Sequence, residues 1–386
     1  MRIAHFSDCE PGRIDGVSVS AGLSVDLLRQ AGHDVTYHHP GPIRTVPVPF
    51  RHLRMAAPWL DVDPGEVDVV HAHTTGPIGM AGFRLARARG VPLVVTWHTD
   101  LVAYGDHFFE VPIGAAYDAV RLRLGWTLRE TLELAERHGR RRARLLTLGR
   151  GMMDQTSLVI APSEKTAAGL TDFGELPPVW VVPTPVVLPD GGAGPGRLRA
   201  ALDLPARAPV VLSVGRVTSE KNPALLVGAF ARVRARHPEA RLVVVGVRQS
   251  RRAMRALIRS HGLSDRVRLL PPVPRAELSG YYRMADVLAF ASTTDTQSLV
   301  VAEAESRGLP VVLADPALAS PSSYRVTCDA TPASMATALL RMLDDRDLRE
   351  RTRRAGLAAA AAYPPSRHLA RLTAAYHHAC AYAAGP

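Results

Sequence analysis

The sequence predicts an α/β protein made of two Rossmann-like, doubly wound parallel-sheet domains facing one another. Three observations predict it. Short apolar, β-branched runs alternate with longer amphipathic stretches along the 386 residues, the pattern of parallel βαβ units. The alternation stops at Pro189-Asp-Gly-Gly-Ala-Gly-Pro-Gly196 and then restarts. Each half also opens alike, with a strand running into a glycine-containing turn and a helix. These are Phe6 to Gly16-Val-Ser in the first half and Val214-Gly-Arg to Asn222-Pro in the second. Two such domains would bring the carboxyl ends of both sheets to one cleft, where open α/β sheets take ligands.

In order along the chain, strands are expected at Arg2–Ser7, Asp34–His38, Val67–His73, Leu93–Trp97 and Ser157–Ala161. The second set is Val210–Val214, Arg241–Val245, Val267–Leu269, Val287–Ala291 and Val311–Ala314. Helices at Val17–Gln30, Ile78–Arg89, Ala224–Arg236 and Leu299–Ser306 carry apolar residues at i, i+3, i+4 spacing. The 189–196 segment can continue neither element and reads as a linker or domain-edge loop.

Composition excludes several classes. With 47% apolar and 22% charged residues, each domain can bury a full core, which rules out disorder. The net charge of +11 is almost entirely arginine, since Lys165 and Lys221 are the only lysines. Such a bias looks like GC-rich coding and weakens the case for a nucleic-acid partner, as does an aromatic content of only 5%. Cys9, Cys328 and Cys380 form neither a disulfide framework nor a CxxC metal motif. The N-terminus lacks the apolar core of a signal peptide, and no apolar run reaches membrane-spanning length. A reduced, cytoplasmic setting is the expectation.

The strongest local signal is Thr294-Asp-Thr-Gln-Ser-Leu-Val-Val-Ala-Glu303. If Ser298-Leu-Val opens a helix, its unpaired amides favour an anion, while Asp295 and Glu303 suit the hydroxyls of a sugar and a ribose. In Val214-Gly-Arg-Val-Thr-Ser-Glu-Lys-Asn222, Gly215 permits close backbone approach, and Arg216 and Lys221 supply two phosphate-binding cations. His98, at the end of an apolar strand in Thr96-Trp-His-Thr-Asp100, would reach a ligand. His71 and His73 share a face, and strand-end packing is preferred to metal ligation. The turn from Asp8 to Gly16 matches neither GxGxxG nor a P-loop. Asp61-Val-Asp63 reads as a solvated loop, and the basic stretch Arg137–Arg144 as a solvated helix rather than a membrane-binding one.

Taken in this order, the motifs resemble the retaining glycosyltransferases of family 4, with GT-B architecture. The resemblance runs through His71-Ala-His73, Thr96–Asp100, Ile160-Ala-Pro-Ser163, Val182-Pro-Thr184, Val214–Asn222, Val243-Val-Val-Gly246, Tyr281–Asp286 and Thr294–Glu303 to Gly308-Leu-Pro-Val-Val312. It implies an acceptor-side domain at 1–187, a nucleotide-sugar domain at 188–365, and a C-terminal helix at 366–386 packed back on the first. It further implies that Arg216 and Lys221 hold a donor diphosphate, with the backbone of Gly16 close to it. Ser298, Leu299 and Val300 would line the donor, Glu303 would hold the ribose, Asp295 the transferred sugar, and Val273 the nucleobase. His98 would lie near the reacting sugar. Asp295 stands where the family usually has Glu, and Ser298 where it usually has Gly.

The expected reaction moves a hexose-type sugar from a UDP- or GDP-linked donor to a hydroxyl of a small polar acceptor, with retention. No residue stands out as a covalent nucleophile, and the resemblance implies same-face attack, without metal or other cofactor. Loops assigned to the acceptor side carry Asp8, Glu10, Asp15, Asp100, Asp106 and Glu110. Of these, Asp8, Asp15 and Asp100 are expected to bind a polyhydroxylated or amine-bearing acceptor, such as an aminocyclitol or another natural-product core. The alternatives are a phosphoinositide- or lipid-directed transferase at a membrane surface and a nucleotide-sugar 2-epimerase.

Overall fold

The computed structural model describes residues 1–12, 15–47, 54–57, 59–108, 110–136, 139–248, 250–319 and 325–383. The chain divides into two compact units, Met1–Thr184 with Pro365–Pro386, and Pro185–Pro364. The division falls three residues ahead of the boundary drawn from sequence. The Gly/Pro-rich stretch 189–196 lies inside the second unit, where Asp190 accepts a hydrogen bond from Arg283 at 2.9 Å.

In the first unit, strands β1 (Arg2–Phe6), β2 (Asp34–His38), β5 (Val69–Ala72), β6 (Leu93–Thr96), β7 (Leu158–Ala161) and β8 (Val179–Val181) form one sheet. Its order is β2-β1-β5-β6-β7-β8 and every pair is parallel. A short antiparallel hairpin, β3 (Thr45–Pro47) with β4 (Arg54–Ala56), stands apart. The second unit holds β9 (Val210–Val214), β10 (Arg241–Val245), β11 (Val267–Leu270), β12 (Val287–Phe290), β13 (Val311–Leu313) and β14 (Val326–Thr327). Their order, β11-β10-β9-β12-β13-β14, is again wholly parallel. It is the doubly wound Rossmann order, in which the chain reverses direction across the sheet beside β9. Helices cover both faces, so β5, β6, β7 and β10 are buried along their whole length. This explains why they read as continuous Val/Leu/Ile runs rather than alternating ones.

All ten strands expected from the sequence are present, to within one or two residues at their ends. The four that were not anticipated, β3, β4, β8 and β14, are two or three residues long, too short for a periodic signal. At the carboxyl ends of β9 and β10 the backbones nearly touch. Gly246 has φ +108°, and a Cβ there would lie 2.3 Å from the Gly215 carbonyl oxygen.

The helices of the first unit include α1 (Gly16–Gln30), α2 (Pro77–Arg89), α3 (Leu101–His107) and α4 (Glu110–Arg121). The C-terminal helix Pro365–Ala383 completes the core beneath that sheet. Its Leu372, Ala375, Tyr376 and Ala379 form an i, i+3, i+4, i+7 stripe packed with Ile3, Leu28, Val69 and Val94. No helix among the described residues is long and apolar enough to cross a membrane.

Candidate functional site

Outside the carboxyl ends of β9 and β12, the turn Gly215–Asn222 meets the loop 291–298. Lys221 closes a single 3-10 turn (Ser219–Lys221), and its Nζ donates to both carboxylate oxygens of Asp295, at 2.6 and 2.7 Å. The ammonium also stands 5.9 Å from the centre of the Phe290 ring. Asn222 sits at φ +48° and caps helix Pro223–Arg236, its side chain accepting from the Leu225 amide at 3.2 Å. Asparagine tolerates this left-handed conformation better than most residues. Buried Glu220 accepts from the Thr218 hydroxyl at 2.6 Å, and its own carbonyl accepts from Ser292 at 3.0 Å. Turn and loop are thus tied together from below. Arg216 projects outward, 57% exposed, with Nη2 3.8 Å from Glu220. Two cations of different shape, one planar and one compact, are therefore held at the point where this sheet reverses.

The loop leads into helix Leu299–Ser306 through Ser298, whose φ of +60° and ψ of 85° are left-handed. Such a conformation costs a residue with a Cβ about 1–2 kcal/mol, which explains why glycine suits this place. The Ser298 hydroxyl is buried with no hydrogen-bond partner among the described residues. One turn further along, Glu303 is 4% exposed. Arg275 donates from Nε and Nη2 to Oε1, at 3.0 and 2.8 Å, and Tyr282 donates its hydroxyl to Oε2 at 2.9 Å. Burial, with the Glu303 charge beside it, pushes the Tyr282 phenol well above its ordinary pKa. An ionised carboxylate offers about four acceptor positions, so these bonds leave room for roughly one more. Arg275 and Tyr282 were not assigned from sequence, although Tyr282 lies within a motif singled out there. Val273, in the loop between β11 and Arg275, is half-buried against the same core.

In the first unit the groups at the carboxyl end of the sheet are histidines. His5 on β1 is the register partner of His71 on β5. Tyr376 of the C-terminal helix lies between them, 2.7 Å from His71 Nδ1 and 3.1 Å from His5 Nε2. His71 Nε2 meets Thr96 Oγ1 at 2.7 Å. From His5 the contacts continue through Nδ1 to His73 Nε2 at 2.9 Å, and from His73 Nδ1 to His98 Nε2 at 3.2 Å. Burial lowers the pKa of His5 to about 3 and of His98 to about 4, and puts His71 and His73 well below the ordinary range. All four rings are neutral near pH 7. His5, His71 and His73 bring one nitrogen each within 4.8 Å of the others, a set sequence could not see because His5 stands alone in its strand.

His98 lines a cavity of about 230 Å³, together with Thr74, Thr75, Trp97, Val111 and Asp118. Asp118 on α4 is 3% exposed, and its Oδ1 has no hydrogen-bond partner among the described residues. Burial, and secondly the charge of Asp8, push its carboxyl well above the usual range; a hydrogen bond from Thr75 opposes them. The neutral acid is thereby favoured.

The carboxylates assigned from sequence to an acceptor each hold backbone amides at a helix start. Asp8 accepts from the Ile78 and Gly79 amides at the start of α2, at 2.9 and 3.0 Å, and from Thr74 at 2.6 Å. Asp15 caps α1 by accepting from Ser18, and Asp100 caps α3 by accepting from Ala103. Unpaired amides and a positive dipole end draw carboxylates to helix starts. Gly16 is the first residue of α1. The side chain of Asp106, and Arg137 at the start of the basic stretch, lie outside the described residues. In helix Gly139–Met153, Arg142 pairs with Asp172 and Arg144 with Glu130 and Glu133.

Two parallel, doubly wound sheets, each with polar groups gathered at its reversal point, define a class of α/β protein whose sheets take ligands beyond their carboxyl ends. Residues 14–188 match Glycosyltransferase Family 4, and residues 196–358 match Glycosyl transferases group 1. A D-inositol 3-phosphate glycosyltransferase of Streptosporangium roseum is 32% identical, over 83% of this chain and 71% of its own length. One of the same description from Xylanimonas cellulosilytica is 33% identical over 65% of this chain; the match spans only 56% of that relative. Sucrose-phosphate synthase from Thermosynechococcus elongatus shares the fold, with a TM-score of 0.72 at 19% identity over 98% of this chain and 99% of its own. The chain belongs to glycosyltransferase family 4, with the GT-B fold.

Proposed function

We propose that this protein transfers a hexose from a UDP- or GDP-linked sugar to a hydroxyl of a small polar acceptor, with retention of anomeric configuration. The observation that carries the reading is the meeting of Arg216, Lys221 and Asp295 beside the opening of helix Leu299–Ser306. The leaving group of such a donor is a diphosphate. Two cations and helix amides at Ser298, Leu299 and Val300 stabilise its developing charge, so the reaction is read as needing no metal. The Lys221–Asp295 pair holds the ammonium in place before the donor arrives and keeps the carboxylate close for the sugar hydroxyls. Glu303 gives its remaining acceptor position to the ribose, and Val273 its main chain to the base.

The acceptor is assigned to the cavity beside His98, whose lining contains no lysine or arginine among the described residues. A neutral, polyhydroxylated or amine-bearing ring fits such a lining better than a phosphorylated one. The D-inositol 3-phosphate relatives support a second reading, a phosphorylated cyclitol.

A thermal-shift panel of nucleotides and nucleotide sugars tests the donor. At about 100-fold saturation a bound ligand stabilises by roughly 2.7 kcal/mol. A melting point unmoved by every UDP- and GDP-linked sugar would overturn the reading. With the donor fixed, release of nucleoside diphosphate on adding an aminocyclitol supports the first acceptor and release on adding inositol phosphate the second. Consumption of the donor with no acceptor present points to epimerisation.

A further inference from the structure

Helix α4 carries its polarity the wrong way round. Val111, Gly114, Ala115 and Asp118 recur at i, i+3, i+4, i+7 and line the cavity of about 230 Å³. Ile113 and Val120 of the same helix are 59% and 74% exposed. Burial of apolar area alone would turn the valine inward and the aspartate outward. Asp118 is held inside against two further penalties. It stands in the last turn of α4, where the negative end of the helix dipole disfavours an anion. Asp8 adds a second negative charge nearby.

Nothing in the cavity wall, among the described residues, offsets these penalties. Thr75 donates to the carboxyl, yet Oδ1 keeps no hydrogen-bond partner among the described residues. Of the buried side chains with an unpartnered polar atom there, Asp118 is the one that lines this cavity. The described wall holds no lysine or arginine, and its histidines, His73 and His98, are neutral near pH 7. Folded proteins rarely leave a buried acceptor unmet unless a ligand or water meets it.

We propose that Asp118 is a specificity-determining residue, whose carboxylate pairs with the ammonium group of an amine-bearing ring bound in this cavity. Such a ligand brings the counter-charge that the wall lacks and donates to the open oxygen. Burial and Asp8 favour the neutral acid until a cation arrives; on pairing, its proton passes to solvent. A ligand hydroxyl meets the oxygen without charge, and a phosphate meets a second anion and no cation. The volume lies below the roughly 300–1,000 Å³ of pockets for drug-sized ligands, which suits a single ring. As a binding site this stands alone; as the acceptor subsite of a transferase it rests on the proposed function.

The test is isothermal titration of the full chain, without nucleotide and again with UDP or GDP, against two matched pairs at up to millimolar concentration. The pairs are scyllo-inosamine with scyllo-inositol, and glucosamine with glucose. In the wild type the amine of at least one pair is expected to bind roughly ten- to hundredfold tighter than its hydroxyl partner, the range for a hydrogen bond to a charged group. Asp118→Asn keeps the shape and one acceptor oxygen. There the preference is expected to vanish while the hydroxyl compound binds as before. Asp118→Ala serves the same purpose should Asp118→Asn fail to fold. Equal affinity within both pairs, no binding by any of these compounds, or a preference that survives in the variant would overturn the proposal. So would inositol 3-phosphate binding more tightly than either amine.

A kinetic arm separates this from the proposed function. Asp118→Asn is expected to raise KM for the amine about tenfold or more, with KM for the nucleotide sugar unchanged. An amine turned over equally well by both forms would overturn the proposal and leave the transferase reading in place. Amine binding that depends on Asp118, in a protein that transfers no sugar, would keep the proposal and defeat only that reading.

Discussion

The two sheets have the same parallel build and end in opposite chemistry. At the reversal point of the second, the groups are ionised and paired: Lys221 with Asp295, and Arg275 with Glu303. At the corresponding place in the first, the polar groups are uncharged: four histidines, a tyrosine and a threonine linked end to end. The difference follows from where each set is attached. Lys221 and Asp295 stand on a turn and a loop beyond the strands, 23% and 18% exposed at their side chains, where solvent or a ligand can screen charge. His5 and His71 lie within strands buried on both sides. There an ion would meet a large desolvation penalty, and neutrality is the cheaper state. Position relative to the strand end thus decides whether the same fold presents charge or directed hydrogen bonds.

The largest expected effect comes from removing the charge at the second sheet. Lys221→Ala and Arg216→Ala should each lower turnover by about 10²–10³, roughly 3–4 kcal/mol of transition-state stabilisation, measured as product formed at saturating donor. Near-normal turnover in both would mean the ionic end of the comparison has no part in catalysis.

The neutral end responds to acid. The histidine pKa values are depressed on folding, so the unfolded chain binds more protons between the folded values near 3–4 and the ordinary value near 6.5. Stability contributed by the neutral rings is complete above about pH 6.5 and is lost as pH falls below it, by up to about 1.4 kcal/mol per pH unit for each ring. All four tryptophans, Trp59, Trp97, Trp126 and Trp180, belong to the first unit, so their fluorescence reports that unit. The urea midpoint seen by tryptophan should drop between pH 7 and pH 5. An unchanged midpoint would show that these rings take up protons in the folded state without penalty.

The smallest effect is at Ser298. Replacement by glycine relieves the left-handed backbone but loosens the unfolded chain, for a net gain of up to about 1 kcal/mol. Calorimetry of the second unit should register a slightly higher Tm, and a clear fall would contradict the strained turn.

Much of this was legible in the sequence, and what was not has a common cause. The ten strands show because a strand covered on both faces is an unbroken apolar run. Arg216, Lys221 and Asp295 show because turns concentrate glycine, cations and carboxylates within a few residues. His5 does not, since one histidine between Ala4 and Phe6 leaves no pattern, and its partner Tyr376 lies in the last helix of the chain. Arg275 and Tyr282 reach Glu303 only through tertiary packing. The capping contacts of Asp15 and Asp100 were also open to sequence reading, because each directly precedes a helix, where an aspartate most often serves the backbone.

The helix Pro365–Ala383 supplies Leu372, Tyr376 and Ala379 to the core of the first unit, yet the ribosome makes it after the whole of the second. At about 5–20 residues per second, the first unit waits on the order of ten to forty seconds with its underside uncovered. During that interval Ile3, Leu28 and Val69 lack their cover. Of the two units, the one translated earlier is the later to be finished, and nascent-chain chaperones have their longer opportunity there.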